Sequence, residues 1–575
     1  MRLALLQLNA RIADPEANGR AIEAAYGEAV GRGADLVLTP ELAVAGYLAE
    51  DRLWEGALRR RVEAESRRLA GLAGPVPLVM GTCSPAPSGR LWNELWWCEA
   101  GQVRAVAHKR ILPMYDVFDE SRYFDADEAA QPLVAFRGER VGLSICEDMW
   151  ANPEFCPGPI RYAFDPIAEL AGSGATLILN ASASPGHLGS WLPAGRNPSW
   201  AAPSKLALRR HLLQGQAARY GVPIAFAARV GAESWLTFDG GSGLARPDGT
   251  WQRDEFFQEG IVLVETRGGG APWGEEPEEA VWLRKALGMG LRENLAKQGL
   301  EAAVVGLSGG IDSAVVAAMA AENLGPGRVL GVALPTRYTS QESLDLAREQ
   351  AERLGIPFLR LDADLAYTGA AAALEGAFPG RAFGLTDENF QSRCRGMLLM
   401  GATSEPAVHR MLGTTKAAVL NTGNKSEAAT GYFTLYGDGI GAFGILGDCL
   451  KARVFALARE LGPAIPRGIL ERRPTAELRP NQTDEASLIP YRQLDAILGT
   501  LLEARREEET LREDLACLLD GPDLAQAQAA LPRIFELLRR SEFKRRQLPF
   551  SLKVSPWAFG RGRRIPLTGL WMPPG

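Results

Sequence analysis

The sequence predicts an α/β protein of two layered domains, and three observations carry that expectation. Apolar runs of strand-like composition recur along the chain with helical runs between them, the alternation of α/β layers. At 575 residues the chain is too long for one hydrophobic core. Its clearest change of composition, Arg267 to Glu279, is rich in Gly, Pro and charge and reads as a linker. The expected domains are therefore 1–267 and 280–575, with the linker at 268–279.

The elements follow in order. Met1 to Leu8 is apolar, turns polar at Asn9 and lacks a small-residue cleavage site, so it reads as a first strand and not a signal peptide. Further strands are expected at Asp35–Thr39, Pro77–Met80, Val141–Ile145, Thr176–Leu179 and Val222–Phe226. Later strands fall at Ala303–Leu307, Val329–Leu334 and Ala417–Leu420. Pro185–Pro203, rich in Gly, Pro and Trp, and Gly376–Asn389 read as long loops. The dense charges of Glu503–Asp514, at helical spacing, read as a solvated helix face.

Composition excludes several function classes. A net charge of -6 argues against a nucleic-acid partner, because no basic excess is present to neutralise phosphates. No apolar run approaches the roughly 20 residues of a membrane helix. Seven scattered cysteines with no CxxC pair fit reduced cytoplasmic thiols better than a disulfide frame or a zinc site. Four histidines, none in an HxxxH or HExxH pair, make a His-based metal centre improbable.

The most informative stretch is Gly306-Leu307-Ser308-Gly309-Gly310-Ile311-Asp312-Ser313, between a strand-like run and the apolar, small-residue helix Ala314–Ala321. Gly lets backbone approach a ligand closely, and the N–H groups that open a helix lack partners within it. A strand, a Gly/Ser turn and a helix therefore make an anion site, phosphate being the usual anion. Asp312 adds a carboxylate through which Mg²⁺ could bridge protein and phosphate. The stretch also matches the GxSxG nucleophile elbow, but His409 is the only histidine downstream, and that reading leaves Asp312 and Ser313 without a role. It lacks the Lys of a Walker loop, and the GxGxxG match at Gly439–Gly444 has no clean strand before it, so a plain loop is expected there.

Ser308 to Ser313 resembles the pyrophosphatase loop of the ATP pyrophosphatases, which cleave ATP between its α and β phosphates. Leu420 to Asp438 resembles the signature of NAD synthetases within that group. So do Glu388–Arg393, Pro474–Leu478 followed by Gln482–Asp484, and Phe543–Gln547, all in the family order. The resemblance implies a Rossmann-like parallel-sheet domain of the adenine nucleotide alpha hydrolase type. It implies that Gly306 to Ser313 and Thr422 hold ATP, and that Asp312 and Glu427 hold Mg²⁺. Asn389, Glu427, Asp438 and Lys544 would bind deamido-NAD or lie beside it, and Lys451 and Thr475 would contact phosphate or adenylate. The basic run Lys544–Arg546 could also be a solvated or nucleic-acid patch, a reading the acidic chain disfavours. Ala402–Lys416 is longer than the family's turn and is expected to extend a surface loop.

The front half carries its own constellation. Thr39-Pro40-Glu41 follows a strand, Lys109 precedes Leu112–Glu120, and Cys146 ends the strand Val141–Ile145. Glu, Lys and Cys at three strand ends can converge at one edge of a sheet. A lone cysteine is more often a buried small hydrophobe; the three residues together resemble the triad of the nitrilase superfamily of amidases, from the first residue to about Glu265. That likeness implies an α-β-β-α sandwich and catalysis by Glu41, Lys109 and Cys146, assisted by Glu120. Tyr115, Ser184 and Lys205 would hold glutamine, although a long insertion separates Pro185 from Lys205 and Ser204 stands where the family has Gly.

An amidase fused to an ATP-cleaving synthetase resembles the glutamine-dependent NAD synthetases. The resemblance implies substrates glutamine, ATP and deamido-NAD, Mg²⁺ as cofactor, an enclosed path for ammonia, no nucleic acid or membrane partner, and a homodimer or higher homo-oligomer. Amination of another carboxylate or nucleotide is the alternative kept open.

Overall fold

The computed structural model describes residues 1–155, 162–193, 198–253, 256–473, 475–480, 482 and 488–568. The chain forms two compact units: Met1–Gly186, Lys205–Glu233 and Thr237–Glu276 make the first, and His187–Ser204, Ser234–Leu236 and Pro277–Gly575 the second.

The first unit is a sandwich of two six-stranded sheets, with β10 and β11 of the strands below forming a separate two-stranded sheet. Its strands are β1 (Arg2–Gln7), β2 (Leu36–Leu38), β3 (Leu78–Pro85), β4 (Leu91–Glu99), β5 (Gln102–His108), β6 (Val134–Phe136), β7 (Glu139–Ile145), β8 (Leu177–Ser182), β9 (Ile224–Ala228), β10 (Val230–Glu233), β11 (Leu236–Asp239), β12 (Gly243–Ala245), β13 (Trp251–Arg253) and β14 (Gly260–Glu265). One sheet runs β14-β1-β2-β3-β4-β5 and the other β13-β12-β9-β8-β7-β6. The core lies between them, where Leu3, Leu5, Leu38 and Trp97 of the first sheet meet Leu143, Leu179 and Ala225 of the second. Helices α1 (Pro15–Gly31) and α2 (Gly56–Leu72) pack on the first sheet's side. Helices α3 (Pro166–Gly172) and α4 (Lys205–Tyr220) cover the second sheet through Ile167, Leu170, Leu212 and Ala217. The result is the α-β-β-α arrangement of the nitrilase likeness. Helix α1 starts where the sequence signals it: Asp14 accepts the Ala17 N–H at 3.3 Å, and Pro15 needs no donor partner in the first turn.

The second unit holds a sheet in which every pairing is parallel. Its strands are β15 (Ala302–Gly306), β16 (Val329–Ala333), β17 (Phe358–Arg360), β18 (Ala417–Asn421) and β19 (Phe443–Gly444), ordered β17-β16-β15-β18-β19. The chain winds outward from β15 through β16 to β17, then returns to place β18 on the other side. The switch point thus lies between β15 and β18, and open α/β sheets bind ligands beyond the carboxyl ends of the strands at such a point. Helices α5 (Glu279–Lys297), α6 (Ile311–Leu324), α7 (Gln341–Leu354), α8 (Ala363–Ala377), α9 (Leu385–Ala402), α10 (Pro406–Leu412), α11 (Lys425–Thr430) and α12 (Lys451–Glu460) complete the layers.

Three sequence expectations change here, and a fourth holds with an unforeseen placement. Of Gly376–Asn389 only Phe378–Gly384 is irregular; Leu385 opens α9, whose start is held by Asp387 accepting the Gly384 N–H at 3.0 Å. Ala402–Lys416 is not a plain loop but contains α10, with Pro406 in its first turn, Glu405 accepting the Ala407 N–H at 3.1 Å, and Gly413 ending it in the left-handed region. Glu503 is not on a solvated face. It is fully buried against Arg453 and Lys425 at 3.0 and 2.8 Å, in a π-helical turn, Gly499–Glu503, and a true helix resumes only at Leu511–Ala516. The described part of Pro185–Pro203 is irregular, as expected. Yet from His187 it packs within the second unit, where the Trp191 N–H donates to Glu503 at 2.8 Å and Trp191 and Trp200 join an apolar cluster with Leu498 and Leu502. The tryptophans that made the stretch look unusual find their apolar surface there.

Candidate active sites

In the first unit, Glu41 follows β2, Lys109 follows β5 and Cys146 follows β7. These strand ends belong to both sheets, so the expected single sheet edge is instead one end of the sandwich. The reason is topological: β2 and β5 lie in the sheet facing β7 across the core. Lys109 Nζ lies 2.7 Å from Glu41 Oε1 and 2.7 Å from Glu120 Oε2, with all three side chains fully buried. Glu41 is fixed further by Asn93 Nδ2, which donates to Oε1 at 2.8 Å, and by the Ala183 N–H, which donates to Oε2 at 3.0 Å. Tyr47 OH donates to Glu120 at 2.7 Å.

Two carboxylates sharing one buried ammonium leave excess negative charge out of water, and the protonation equilibria respond. Burial pushes the Glu120 carboxyl up, Lys109 opposing and Glu41 adding to the rise. Burial alone would lower the Lys109 ammonium, but Glu120 and Glu41 hold it well above its ordinary value. The Cys146 thiol is pushed well up by burial and by Glu41, with Lys109 acting against them. A thiol in that state becomes a nucleophile only with a base to take its proton. Cys146 has φ +42, a left-handed backbone at the junction of β7 and the 3-10 turn Cys146–Trp150, which turns the chain sharply at the sulfur.

Beside Cys146 lies a second buried group. Tyr115 OH and Tyr162 OH donate to Glu147 at 3.0 and 2.8 Å, and Lys205 acts on the same carboxylate while its Nζ sits 3.6 Å from the Trp150 ring centroid. Burial raises the Glu147 carboxyl, and Lys205 opposes the rise. Ser184 is buried two residues beyond β8. Asp148 accepts the Ile145, Ile111 and Arg110 N–H groups at 2.8, 2.9 and 3.0 Å, pinning the Cys146 turn to the segment after Lys109. Asn93, Tyr47 and Glu147 carry no pattern that would single them out in the sequence; Glu147 and Asp148 were visible only as neighbours of Cys146.

In the second unit a cavity of about 400 Å³ opens at the switch point. Gly306, Leu307, Ser308, Gly310, Ile311, Asp312 and Ser313 line it from one side and Thr422, just past β18, from the other. Asn389, Glu427, Asp438, Lys451, Thr475 and Lys544 also line it. Gly309 does not; it serves the turn. Its φ is +75, and a Cβ there would lie 2.5 Å from the Ser343 carbonyl oxygen, so only glycine fits. Ser308 and Ser313 hydroxyls are 3.2 Å apart, and Ser308 Oγ accepts the Gly310 N–H at 3.2 Å.

Asp312 and Glu427 flank Lys451, whose ammonium pairs with Asp312 and lies 3.7 Å from Glu427. Asn424 Nδ2 donates to Asp312 at 2.9 Å, while the Asn424 side chain accepts the Glu427 N–H at 3.0 Å and caps α11. Two partly exposed carboxylates beside a phosphate-type loop are hard oxygen donors, and that donor set fits Mg²⁺ completed by phosphate oxygens. Lys451 supplies the counter-charge between them.

Elsewhere in the cavity, Asp438 accepts the Thr434 N–H and the Ser392 hydroxyl, both at 2.8 Å, and burial raises its carboxyl. Asn389 accepts the Thr434 hydroxyl at 2.9 Å. Lys544 donates to the Gly431 and Phe433 carbonyls at 3.0 and 2.8 Å, and burial lowers its ammonium, with Asp438 opposing. Thr475 donates to the Gln482 carbonyl at 2.6 Å. Of the other motif residues, Pro474, Thr483 and Asp484 lie outside the described residues. Arg395 and Arg472 also line the cavity and had no sequence signal, and Glu477, within the Pro474–Leu478 motif, lines it too.

Comparison with known proteins gives a consistent picture. The carbon-nitrogen hydrolase family matches residues 2–267, and the NAD synthase family matches residues 283–548. The glutamine-dependent NAD(+) synthetase of Synechocystis sp. is 36% identical, covering 100% of this chain and 99% of its own. That of Rhodobacter capsulatus is 36% identical over 99% of this chain and 98% of its own. Among solved structures, the glutamine-dependent NAD+ synthetase from Acinetobacter baumannii in complex with ADP is 28% identical with a TM-score of 0.71, covering 99% of both chains. The Cytophaga hutchinsonii glutamine-dependent NAD(+) synthetase shares the fold, with a TM-score of 0.78 at 19% identity over 99% of this chain and 98% of that one. The two sites thus sit on a chain similar from end to end to one kind of enzyme, and the chain belongs to the glutamine-dependent NAD(+) synthetase family.

Proposed function

We propose that the protein makes NAD from deamido-NAD, ATP and glutamine, releasing AMP, pyrophosphate and glutamate. The observation that carries this reading is one chain holding both a buried Glu41–Lys109 pair beside Cys146 and a phosphate-type loop with Asp312 at a switch point.

At the first site the Cys146 sulfur attacks the glutamine side-chain carbonyl and forms a thioester. Glu41 takes the thiol proton and passes it to the leaving ammonia, which suits a thiol held protonated by burial. Lys109 and a backbone N–H after Cys146 stabilise the oxyanion. Glu120 keeps the Lys109 ammonium charged and in place. Lys205 and Glu147 offer opposite charges for the two charged ends of an amino acid, with Tyr115 and Ser184 in the same pocket; water then releases glutamate. Domain boundaries at 267 and 280 fit this division of labour.

At the second site the Gly306–Ser313 backbone and the two serines hold ATP phosphates, Thr422 contacts ATP, and Lys451 and Thr475 contact phosphate or adenylate. Asn389, Glu427, Asp438 and Lys544 bind deamido-NAD or lie beside it. Asp312 and Glu427 would hold Mg²⁺, which when bound offsets phosphate repulsion. Adenylation is needed because a carboxylate is a poor acceptor for an amine, whereas AMP is a good leaving group. The family likeness supports a homodimer or higher homo-oligomer, to be read by sedimentation. Among the described residues no helix is long and apolar enough to cross a membrane; together with the scattered cysteines this supports a cytoplasmic enzyme.

The test is substrate-dependent AMP release. Deamido-NAD is expected to support it with glutamine or ammonia, and xanthosine phosphate and aspartate are not. Failure with deamido-NAD and turnover of either alternative would overturn the reading.

A further inference from the structure

The second unit contains another cavity, of about 560 Å³, built from residues 501–508, the helix Gly521–Arg540, the turn Glu542–Arg545 and residues 557–567. Among the described residues seven arginines and two glutamates line it, in a chain whose net charge is -6. Its volume lies within the range of small-molecule sites. Lys544 faces the synthetase cavity, whereas its neighbours Glu542 and Arg545 face this one, so the two cavities are separate.

Several of the arginines are committed. Arg506 pairs with Asp514 at 2.8 Å, Arg540 with Glu536 at 2.9 Å, and Arg545 with Glu542 at 3.0 Å. Arg505 stacks on Trp557, 3.9 Å from the ring centroid. Arg539 and Arg563 differ, although Arg563 lies over the Phe559 ring at 5.8 Å from its centroid. Among the described residues neither guanidinium has an ion pair, and Arg539 Nη1 is buried without a hydrogen-bond partner. Burial and the nearby Arg545 depress the Arg563 guanidinium, a cost that a bound anion relieves. Among the described residues Glu508 Oε1 is likewise buried with no hydrogen-bond donor, although the nearby Arg539 charge acts on its carboxyl. A buried donor and a buried acceptor left open in one cavity each cost stability unless a ligand meets them.

Those open groups specify a ligand. An anion satisfies the arginines, and Glu508 asks for a hydroxyl or amine donor. Leu501, Phe535 and Leu538 form an apolar wall for a ring. A bare phosphate meets only the first demand, and a sugar phosphate only the first two. We propose that this cavity is a second nucleotide site, taking a nucleoside phosphate with its phosphates on Arg539 and Arg563, a ribose hydroxyl on Glu508 and its base on the apolar wall.

The experiment is equilibrium dialysis of labelled ADP against the full-length enzyme at low salt. Two ADP per chain are expected. R539A/R563A should keep the ADP bound at the Gly306–Ser313 loop, weaken the other at least tenfold, and leave ammonia-driven NAD synthesis in place. S308A/K451A should show the reverse pattern, so failure of the loop assignment and failure of this proposal are told apart. Should the arginine pair fail to fold, Glu508→Gln provides a second reading: it should weaken the second ADP several-fold and leave inorganic tripolyphosphate binding there unchanged. A single ADP per chain in the wild type at millimolar concentration, or a second ADP indifferent to both sets of cavity variants, overturns the proposal.

Discussion

Glu41 and Lys109 are 2.7 Å apart with both side chains fully buried. Pairs so placed are held by the rest of their hydrogen bonds, because breaking one partner leaves an uncompensated charge out of water. Here Asn93, Ala183, Glu120 and Tyr47 supply those bonds. The pair therefore has a fixed geometry before any substrate arrives.

Removing the Cys146 thiol, the nucleophile proposed above, should separate glutamine use from ammonia use. Cys146→Ala is expected to abolish glutamine-driven NAD synthesis and to retain ammonia-driven synthesis within about twofold, since a thiol lost at one site leaves the other's groups in place. Paired assays with glutamine and with ammonium chloride read this directly. Continued glutamine use would refute the amidase assignment.

Asn93 acts through Glu41. Replacing it with Ala removes a buried hydrogen bond from Glu41, a loss of about 1–3 kcal/mol, or roughly 5- to 150-fold. Because Asn93 is a positioning residue, the loss should fall on kcat for glutamine more than on KM, and the pH profile of the glutaminase should shift. Unchanged kcat with a raised KM would place Asn93 in substrate binding instead.

Asp312→Asn should cost ammonia-driven NAD synthesis at least about 100-fold, because the variant loses a hard oxygen donor and the partner of Lys451. The magnesium concentration for half-maximal rate should rise, while basal hydrolysis of glutamine persists. A variant with wild-type magnesium dependence would remove Asp312 from the metal site.

Asp495 supplies a pH signature. Burial raises its carboxyl from 3.8 to about 7, against the opposing hydrogen bonds from the Ser426 hydroxyl and the Ala452 N–H. A folded-state value above the unfolded one means the contribution is complete below pH 3.8 and is lost as pH rises through about 7. The effect approaches about 4 kcal/mol at most, at ~1.4 kcal/mol per pH unit. Denaturant melts of the wild type should therefore lose stability between pH 4.5 and pH 8, and Asp495→Asn should flatten that dependence. Equal slopes in both proteins would exclude Asp495 as the source.

Glu503 joins Arg453, Lys425 and the Trp191 N–H in one buried network. Glu503→Gln leaves Lys425 with Asp448 and Arg453 with Glu279 as their remaining counter-charges and should destabilise the second unit by about 3 kcal/mol, at the low end for a broken buried pair. Thermal melts should show a drop of several degrees, larger than for an exposed control such as Glu536→Gln.

The sequence by itself determined a great deal here. Strand positions were legible because apolar runs such as Val141–Ile145 and Ala302–Val305 are buried on both faces and leave a continuous signal. The Gly306–Ser313 loop stood out because Gly and Ser between a strand and a helix leave backbone N–H groups open, and Glu41, Lys109 and Cys146, each just beyond a strand, through their joint resemblance to the nitrilase triad. What lay beyond reading was set by partners far away in the chain. Asn93 becomes the support of Glu41 only when β4 lies near the end of β2; Glu503 ceases to be a surface charge only when Arg453 and Lys425 face it. The Trp191 segment joins the second unit although its neighbours in sequence belong to the first. Hydrogen bonds and ion pairs between distant residues leave no periodicity in the chain, since any residue of the right type at the right depth can make them, and only the tertiary structure decides which one does.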